Sequence, residues 1–500
     1  MDLQFLINSL QYIKPEIAIT AVIVLIVLVD LIWQKKKALL PWISLVGLIV
    51  TAFYVIEQFG MNASSFVANG TMGMITTDPF GAFFKIIVIL ASVIIIFFSL
   101  TSDEIKNVFE RHGEYYTLIL GMILGMFFMI SASDLILIYI SLELVSLSSY
   151  ILAGFTKQSL RNSEASLKYV IYGGVSSGIM LFGISIIYGM TGTTNLYMIN
   201  SFLQSPPFGG FVFWLAGIFI FAGIGFKISA APFHFWTPDV YEGAPITITA
   251  YLSIASKAAG FALLIRFIKV TFIESVDVSG YWQLLNLIDW KSFLILISIL
   301  TMTLGNFAAL WQSNMKRLLA YSSIAHAGYL LLGLAVLSDQ GLVAILIYFA
   351  VYAFMNLGAF FVVMLIANKI GSEEIEDYKG LGYTMPLLSF SIGVFLISLT
   401  GIPPTAGFIA KLYLFIALVD ANMIAVAVIA LLNTVVSLYY YIKVLKNMYL
   451  VRPEKEMPTI SVSPAAFAML MVLLIPILVF GVYFTPLVNF AKNSIALMGF

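Results

Sequence analysis

Long apolar runs separated by short polar clusters fill the chain from Ile17 onward. At about 20 residues per crossing they predict about fourteen membrane-spanning helices. These fall near 15–33, 38–58, 79–100, 114–132, 134–154, 165–190, 209–230, 244–270, 291–311, 318–337, 341–368, 385–419, 422–446 and 464–488. Two runs break their own pattern. The seventh is interrupted at Ala230-Ala231-Pro232 and the twelfth at Gly401-Ile402-Pro403-Pro404. Proline removes a backbone donor and clashes with the preceding turn, so neither run is one continuous helix. Five spans separate the breaks, and an odd offset places the two copies in opposite orientations. The fold expected is an all-α polytopic membrane protein, one transmembrane domain over 1–500. It contains two inverted five-helix repeats, 114–270 and 291–446, flanked by helices in 15–100 and 464–488.

Several spans gather their polar residues on one stripe. Thr249, Ser253, Ser256, Lys257 and Gly260 share a face of the eighth, and Ser322, His326 and Tyr329 a face of the tenth. Tyr348, Tyr352 and Asn356 line the eleventh, and Asn433, Ser437, Tyr440 and Tyr441 the thirteenth. Each stripe alone is explained by hydrogen bonding between helices. Together with ionisable groups at the same depth, they point to a hydrated axis through the bundle.

Composition agrees with the pattern. Hydrophobic residues make up 61% and charged residues 10% of the chain, and the mean hydropathy is +1.03. With 25 basic and 25 acidic residues the formal charge is zero, which gives no footprint for nucleic acid. There is no cysteine, which excludes disulfides and thiolate-held iron–sulfur clusters. The three histidines, His112, His234 and His326, are far apart in sequence, so no metal site is expected. The run Ile17 to Ile32 reads as a retained span and not as a cleaved leader.

Basic residues cluster in alternate loops: Lys35, Lys36 and Lys37; Lys106 and Arg111; Lys157 and Arg161; Lys316 and Arg317; Lys369 and Lys379; Lys446, Arg452 and Lys455. The positive-inside rule then places both termini outside the cytoplasm.

Charged side chains at the bilayer centre are costly and mark ion pathways. Glu143 lies mid-span in LILIYISLELVSLSSYIL with no neutralising neighbour in sequence, so it pairs with a cation or stays protonated. Lys227, Lys257 and Lys411 occupy apolar surroundings beside the two breaks. Burial disfavours a charged ammonium, which makes them candidates for loading and releasing a proton. His234, inside the first break, titrates near neutral pH and could relay between Lys227 and Lys257; His326 has a similar reading. Glu164 and Lys168 are four apart at the start of the sixth span, either a surface salt bridge or an entrance carboxylate. Asp239 and Glu242 shape the turn after the break. His112 reads as a solvated loop residue, and Lys85, Lys269 and Lys443 as lysines snorkelling to a span end.

The stretch KISAAPFHFWTPDVYEGAP, followed by SIASKAAG, resembles the signature of the antiporter-like membrane subunits of proton-pumping NADH:quinone oxidoreductase, respiratory complex I. The PDVYEGAP form resembles the N type, and WQSNMKRLLAYSSIAHAGY and GIPPTAGFIAK are also family-like. The resemblance implies that Glu143, Lys227, Lys257 and Lys411 carry proton transfer, with His234, Glu164 and His326 as auxiliary relay groups. It implies proton pumping driven by electron transfer from NADH to quinone in other subunits. NADH, FMN, iron–sulfur clusters and quinone would all be held there, with no cofactor or metal in this chain. It also implies a bacterial inner membrane location and neighbouring antiporter-like subunits as partners, together with the lipid bilayer. A cation/proton antiporter subunit, or the equivalent part of a membrane-bound hydrogenase, is the alternative within the same fold.

Overall fold

Helices begin where a short polar side chain precedes an apolar run. The Asp78 carboxylate accepts from the Gly81 N–H, Asp134 from Ile136 and Leu137, Asn314 from Arg317, Ser338 from Gly341 and Ser463 from Ala466. Each cap satisfies a donor that the first turn would leave open in an apolar medium. The computed structural model describes residues 3–33, 37–67, 73–156, 160–204, 210–285, 289–452 and 462–499, with only the backbone at 3–6 and 109. Lys35, Lys36, Lys157 and Lys455 lie outside the described residues.

In chain order the principal helices are α1 (Lys14–Ile32), α2 (Leu40–Glu57), α3 (Pro79–Thr101), α4 (His112–Ser131), α5 (Leu135–Ala153), α6 (Leu160–Thr191) and α7 (Gly210–Ile228). They continue as α8 (Trp236–Gly243) and α9 (Ile246–Phe272), then α10 (Trp290–Ala309), α11 (Met315–Ala335) and α12 (Asp339–Ile370). The last are α13 (Pro386–Thr400), α14 (Ala406–Asp420), α15 (Ile424–Leu450) and α16 (Pro464–Val482). Among the described residues 13 helices are long and apolar enough to cross a membrane. The expected twelfth crossing is not among them because it is two short helices, α13 and α14, joined through Gly401–Thr405. At the seventh, α7 alone is long and apolar enough to cross, and the break follows it, ahead of the short α8.

Both breaks close a helix with a residue in the left-handed region, Ser229 at φ 62° and Gly401 at φ 88°, and both contain a cis X–Pro bond. A Cβ at Gly401 would meet Lys411 Cδ at 2.8 Å, so the tight turn and the lysine share one space. Backbone groups freed at the first break find partners: Trp236 Nε1 donates to the Phe226 carbonyl at 2.9 Å, and the Ala231 N–H donates to Thr301 Oγ1 at 2.9 Å. Such pairing is what lets irregular backbone persist at membrane depth. The eighth span holds an irregularity that the sequence does not announce: Leu252–Ser256 is a π-helical turn directly before Lys257.

The centre of the bundle is α9, α11 and α12, buried on all sides, while α1, α2, α15 and α16 present most of their apolar surface outward. Two antiparallel hairpins, Ala63–Ser65 with Ile75–Thr77 and Ile273–Val276 with Trp282–Leu284, lie at one end. Contacts sort the loops by end. The described basic loops meet one another: Lys37 with the Glu110 carbonyl, Arg111 with the Phe155 carbonyl, Arg161 and Arg317 with Glu242, and Asn314 with Glu374. At the other end the Gln58 amide donates to the Tyr12 carbonyl and the Met498 N–H to Asp78. The first and last described segments therefore share the end opposite the basic loops.

Candidate proton-transfer site

Seven lysine and arginine side chains of the described residues are buried: Lys85, Lys227, Lys257, Arg266, Lys269, Lys316 and Lys411. Four of them are ion-paired: Lys85 to Glu16 at 2.7 Å, Arg266 to Asp78 at 2.8 Å, Lys269 to Asp339 at 3.1 Å and Lys316 to Glu373 at 2.8 Å. Lys227, Lys257 and Lys411 have no carboxylate within ion-pair distance among the described residues. A buried ammonium without a counter-ion is expensive to keep charged. The three lysines singled out by their sequence context are thus the three whose charge the fold leaves uncompensated.

Each instead meets neutral oxygen. Lys227 Nζ donates to Ser146 Oγ on α5 at 3.3 Å. Glu143 lies one turn away on the same helix, within electrostatic reach of Lys227, yet no ion pair closes between them. Glu143 Oε1 is buried without a hydrogen-bond partner among the described residues. Lys257 Nζ donates to both oxygens of Ser323 on α11, at 2.6 Å to Oγ and 2.8 Å to the carbonyl. Lys411 Nζ donates at 2.8 Å to the Thr400 carbonyl, freed where α13 ends, and lies 4.7 Å from the centre of the Tyr329 ring.

Helix α11 joins these groups. Ser323, His326 and Tyr329 are three apart and follow one face. Ser323 holds Lys257, His326 Nδ1 meets Tyr348 Oη at 2.7 Å, and Tyr329 lies under Lys411. The His326 ring also stacks on Tyr352, with centroids 4.9 Å apart. Both Lys257 and Lys411 act electrostatically on His326. Farther up, α7 packs on α9 at Gly260, where a Cβ would come 2.7 Å from Ile228 Cγ2 and 3.7 Å from Lys227 Cγ. The absent side chain brings Lys227 against the turn that carries Lys257.

His234 is placed elsewhere. Its ring stacks on Phe235 at 4.5 Å, and among the described residues no hydrogen bond joins it to Lys227 or Lys257. Glu164 is exposed and bonded to Lys168 at 2.8 Å; Lys168 also meets Asp239 at 2.6 Å, and Arg317 meets Asp239 and Glu242 at 2.7 and 2.8 Å. With Arg161 these six residues line a cavity of about 180 Å³ that ties α6, α8 and α11 together at the basic end.

Some sequence expectations need correction. Lys85 and Lys269 do not snorkel: both are buried and ion-paired, because Glu16 and Asp339 reach them from helices remote in sequence. His112 is not solvated; it is buried against the Ile105 carbonyl at 3.0 Å. On α11 the stripe assigned to Ser322 is split: Ser322 turns to Tyr441 on α15, and Ser323 takes the lysine. Spacing of three from His326 was the available signal for Ser323. The bidentate Arg266–Asp78 pair was missed altogether, since its members are 188 residues apart.

The chain belongs to the NADH:quinone oxidoreductase/Mrp antiporter family of membrane proteins, whose transmembrane region matches residues 132–437. Within that class it is similar over nearly its whole length to proteins named NADH-quinone oxidoreductase subunit N. That of Chloroherpeton thalassium, subunit N 2, is 49% identical over 97% of this chain and 94% of the relative. That of Chlorobium chlorochromatii is 45% identical over 98% and 96%. A chain of respiratory complex I from Thermus thermophilus with bound aureothin superposes with a TM-score of 0.78 and 28% identity, covering 96% of this chain and all of that one. A chain of the archaeal membrane-bound sulfane sulfur reductase superposes at 0.82 with 24% identity, over 98% of this chain and 97% of that one. The second likeness shows the fold alone, so sequence and not shape separates the subunit types.

Proposed function

We propose that this chain is a proton-translocating subunit of NADH:quinone oxidoreductase, and that Lys227, Lys257 and Lys411 carry the proton through it. The observation that carries the reading is the contrast among buried cations: four are neutralised by carboxylates, and the three along the axis are not. The full-length similarity to subunit N supports the choice of complex.

Proton transfer starts at Glu143 and Lys227. Motion that closes the pair favours charged Lys227, and opening it releases the proton toward Lys257. From Lys257 the path runs through the Ser323 hydroxyl and the His326–Tyr348 pair to Lys411 at the second break. Each step responds to a neighbour's charge. Two unit charges about 10 Å apart at an effective dielectric of about 20 interact by roughly 2 kcal/mol, enough for a tenfold change in proton affinity. His234 and Glu164 serve as auxiliary groups at the first break and the basic end. The two halves, 114–270 and 291–446, act as inverted repeats, a reading supported by the proline-interrupted positions five spans apart.

Electron transfer belongs to partner subunits, which hold NADH, FMN, iron–sulfur clusters and quinone; neighbouring antiporter-like subunits flank this chain in a bacterial membrane. The shared end of the first and last described segments, opposite the basic loops, supports termini on the non-cytoplasmic side.

The test is NADH-driven proton uptake by the intact complex in liposomes. Lys227→Ala, Lys257→Ala or Glu143→Ala is expected to leave an assembled complex that reduces artificial electron acceptors but pumps little or nothing. Undiminished pumping by the Lys257 variant would refute the reading.

A further inference from the structure

We infer that Lys316 is a positioning residue for proton transfer at Lys257, setting the register of α11 against α9; this rests on the role of Lys257 proposed above. Lys316 is buried, with 4% of its side chain exposed, and its Nζ makes two bonds. One is to Glu373 Oε1 at 2.8 Å; the other is to the Ala244 carbonyl at 3.0 Å. Ala244 sits in the connector between α8 and α9, where the backbone is not helical and its carbonyl has no intrahelical donor. A surface lysine would not serve here, because exposed ion pairs are screened and contribute little.

The geometry of the two helices makes this contact consequential. Both α9 and α11 start at the basic end and run in the same direction. They touch at their starts through Lys316–Ala244 and at mid-depth through Lys257–Ser323. Ser323 is two turns beyond Lys316 on an uninterrupted helix, so the first contact fixes the height of the second. Slipping α11 by one residue moves Ser323 by about 1.5 Å. A shift of that size lengthens the 2.6 Å Lys257–Ser323 contact to about 3.0 Å where it runs across the bond and to about 4.1 Å where it runs along it, so it weakens or breaks the contact. The π-turn at Leu252–Ser256 lies between the two contacts on α9, so Lys257 depends on α11 for its placement as well as on its own helix. Lys316 bonds to Glu373 and the Ala244 carbonyl, and among the described residues no hydrogen bond joins it to Lys227, Lys257 or Lys411.

The experiment uses the intact complex in liposomes and reads protons moved per electron. Lys316→Met is expected to lose most of the share of that ratio that Lys257→Ala loses, since a misplacement near about 1 Å is enough to disable a transfer step, while Lys316→Arg restores most of it. Where methionine prevents assembly, Lys316→Gln retains one donor toward Ala244 and should give an intermediate loss. In a Ser323→Ala background, which keeps only the carbonyl contact to Lys257, Lys316→Met should add less than it does alone. Additive losses, or normal coupling in the Lys316→Met complex, would overturn the inference. Lys257→Ala measured alongside separates the two levels: normal pumping there sinks the functional reading. Loss there with normal pumping in Lys316→Met sinks the positioning role alone.

Discussion

Lys257 Nζ lies 2.6 Å from Ser323 Oγ and 2.8 Å from the Ser323 carbonyl, and no carboxylate joins them. A buried ammonium held only by neutral oxygens lacks the compensation that an ion-paired one has. Three residues along α11, His326 Nδ1 meets Tyr348 Oη, and three further on Tyr329 lies under Lys411. The chemistry of the axis therefore rests on which side chains α11 presents.

Replacing His326 should interrupt transfer between Lys257 and Lys411. His326→Phe keeps the stacking on Tyr352 and removes the contact to Tyr348, and is expected to reduce proton pumping at least tenfold at a general acid–base step. His234→Phe should cost much less, as expected of an auxiliary group with no hydrogen bond to either lysine among the described residues; its ring meets Phe235 instead. Fluorescent measurement of the pH gradient in liposomes compares the two. Equal losses would place His234 on the path.

Gly260 sets the approach of α7 to α9. An alanine Cβ would lie 2.7 Å from Ile228 Cγ2, closer than packed carbon atoms tolerate. Gly260→Ala should therefore push α7 outward at a cost of about 1–3 kcal/mol, and Lys227 should move with it. A lower thermal midpoint together with weakened pumping is expected; an unchanged midpoint would show that the helices absorb the methyl group without displacement.

Asp78 anchors the end opposite the basic loops. Burial alone would raise its carboxyl. The Arg266 guanidinium, with the backbone donors of Gly81 and Met498, outweighs that and holds it below the usual carboxylate range. A group depressed on folding lends stability above its unfolded value, near about 3.9, and loses it as pH falls through the folded one. Asp78→Asn should cost about 3–5 kcal/mol at neutral pH by leaving Arg266 unpaired. It should also flatten the acid limb of stability below about pH 4. Thermal midpoints of the solubilised complex between neutral and acid pH report both effects, and a parallel acid limb in the variant would refute the assignment.

Periodicity and proline placement alone determined the helical membrane fold, the two broken spans and the lysines beside them. Hydrophobic length, proline sterics and the cost of charge in lipid are local properties that need no knowledge of neighbours. Tertiary structure decided which charges are compensated. In sequence Lys85 and Lys269 read as lysines snorkelling to a span end, but Glu16 and Asp339 fold onto them, whereas no carboxylate of the described residues pairs with Lys257. It also decided that Ser323 and not Ser322 faces Lys257, and that the His326 ring meets Tyr348 and Tyr352 on the neighbouring helix. Helix rotation and the π-turn at Leu252–Ser256 set those facings. Packing between distant segments fixes both, and no local pattern encodes them.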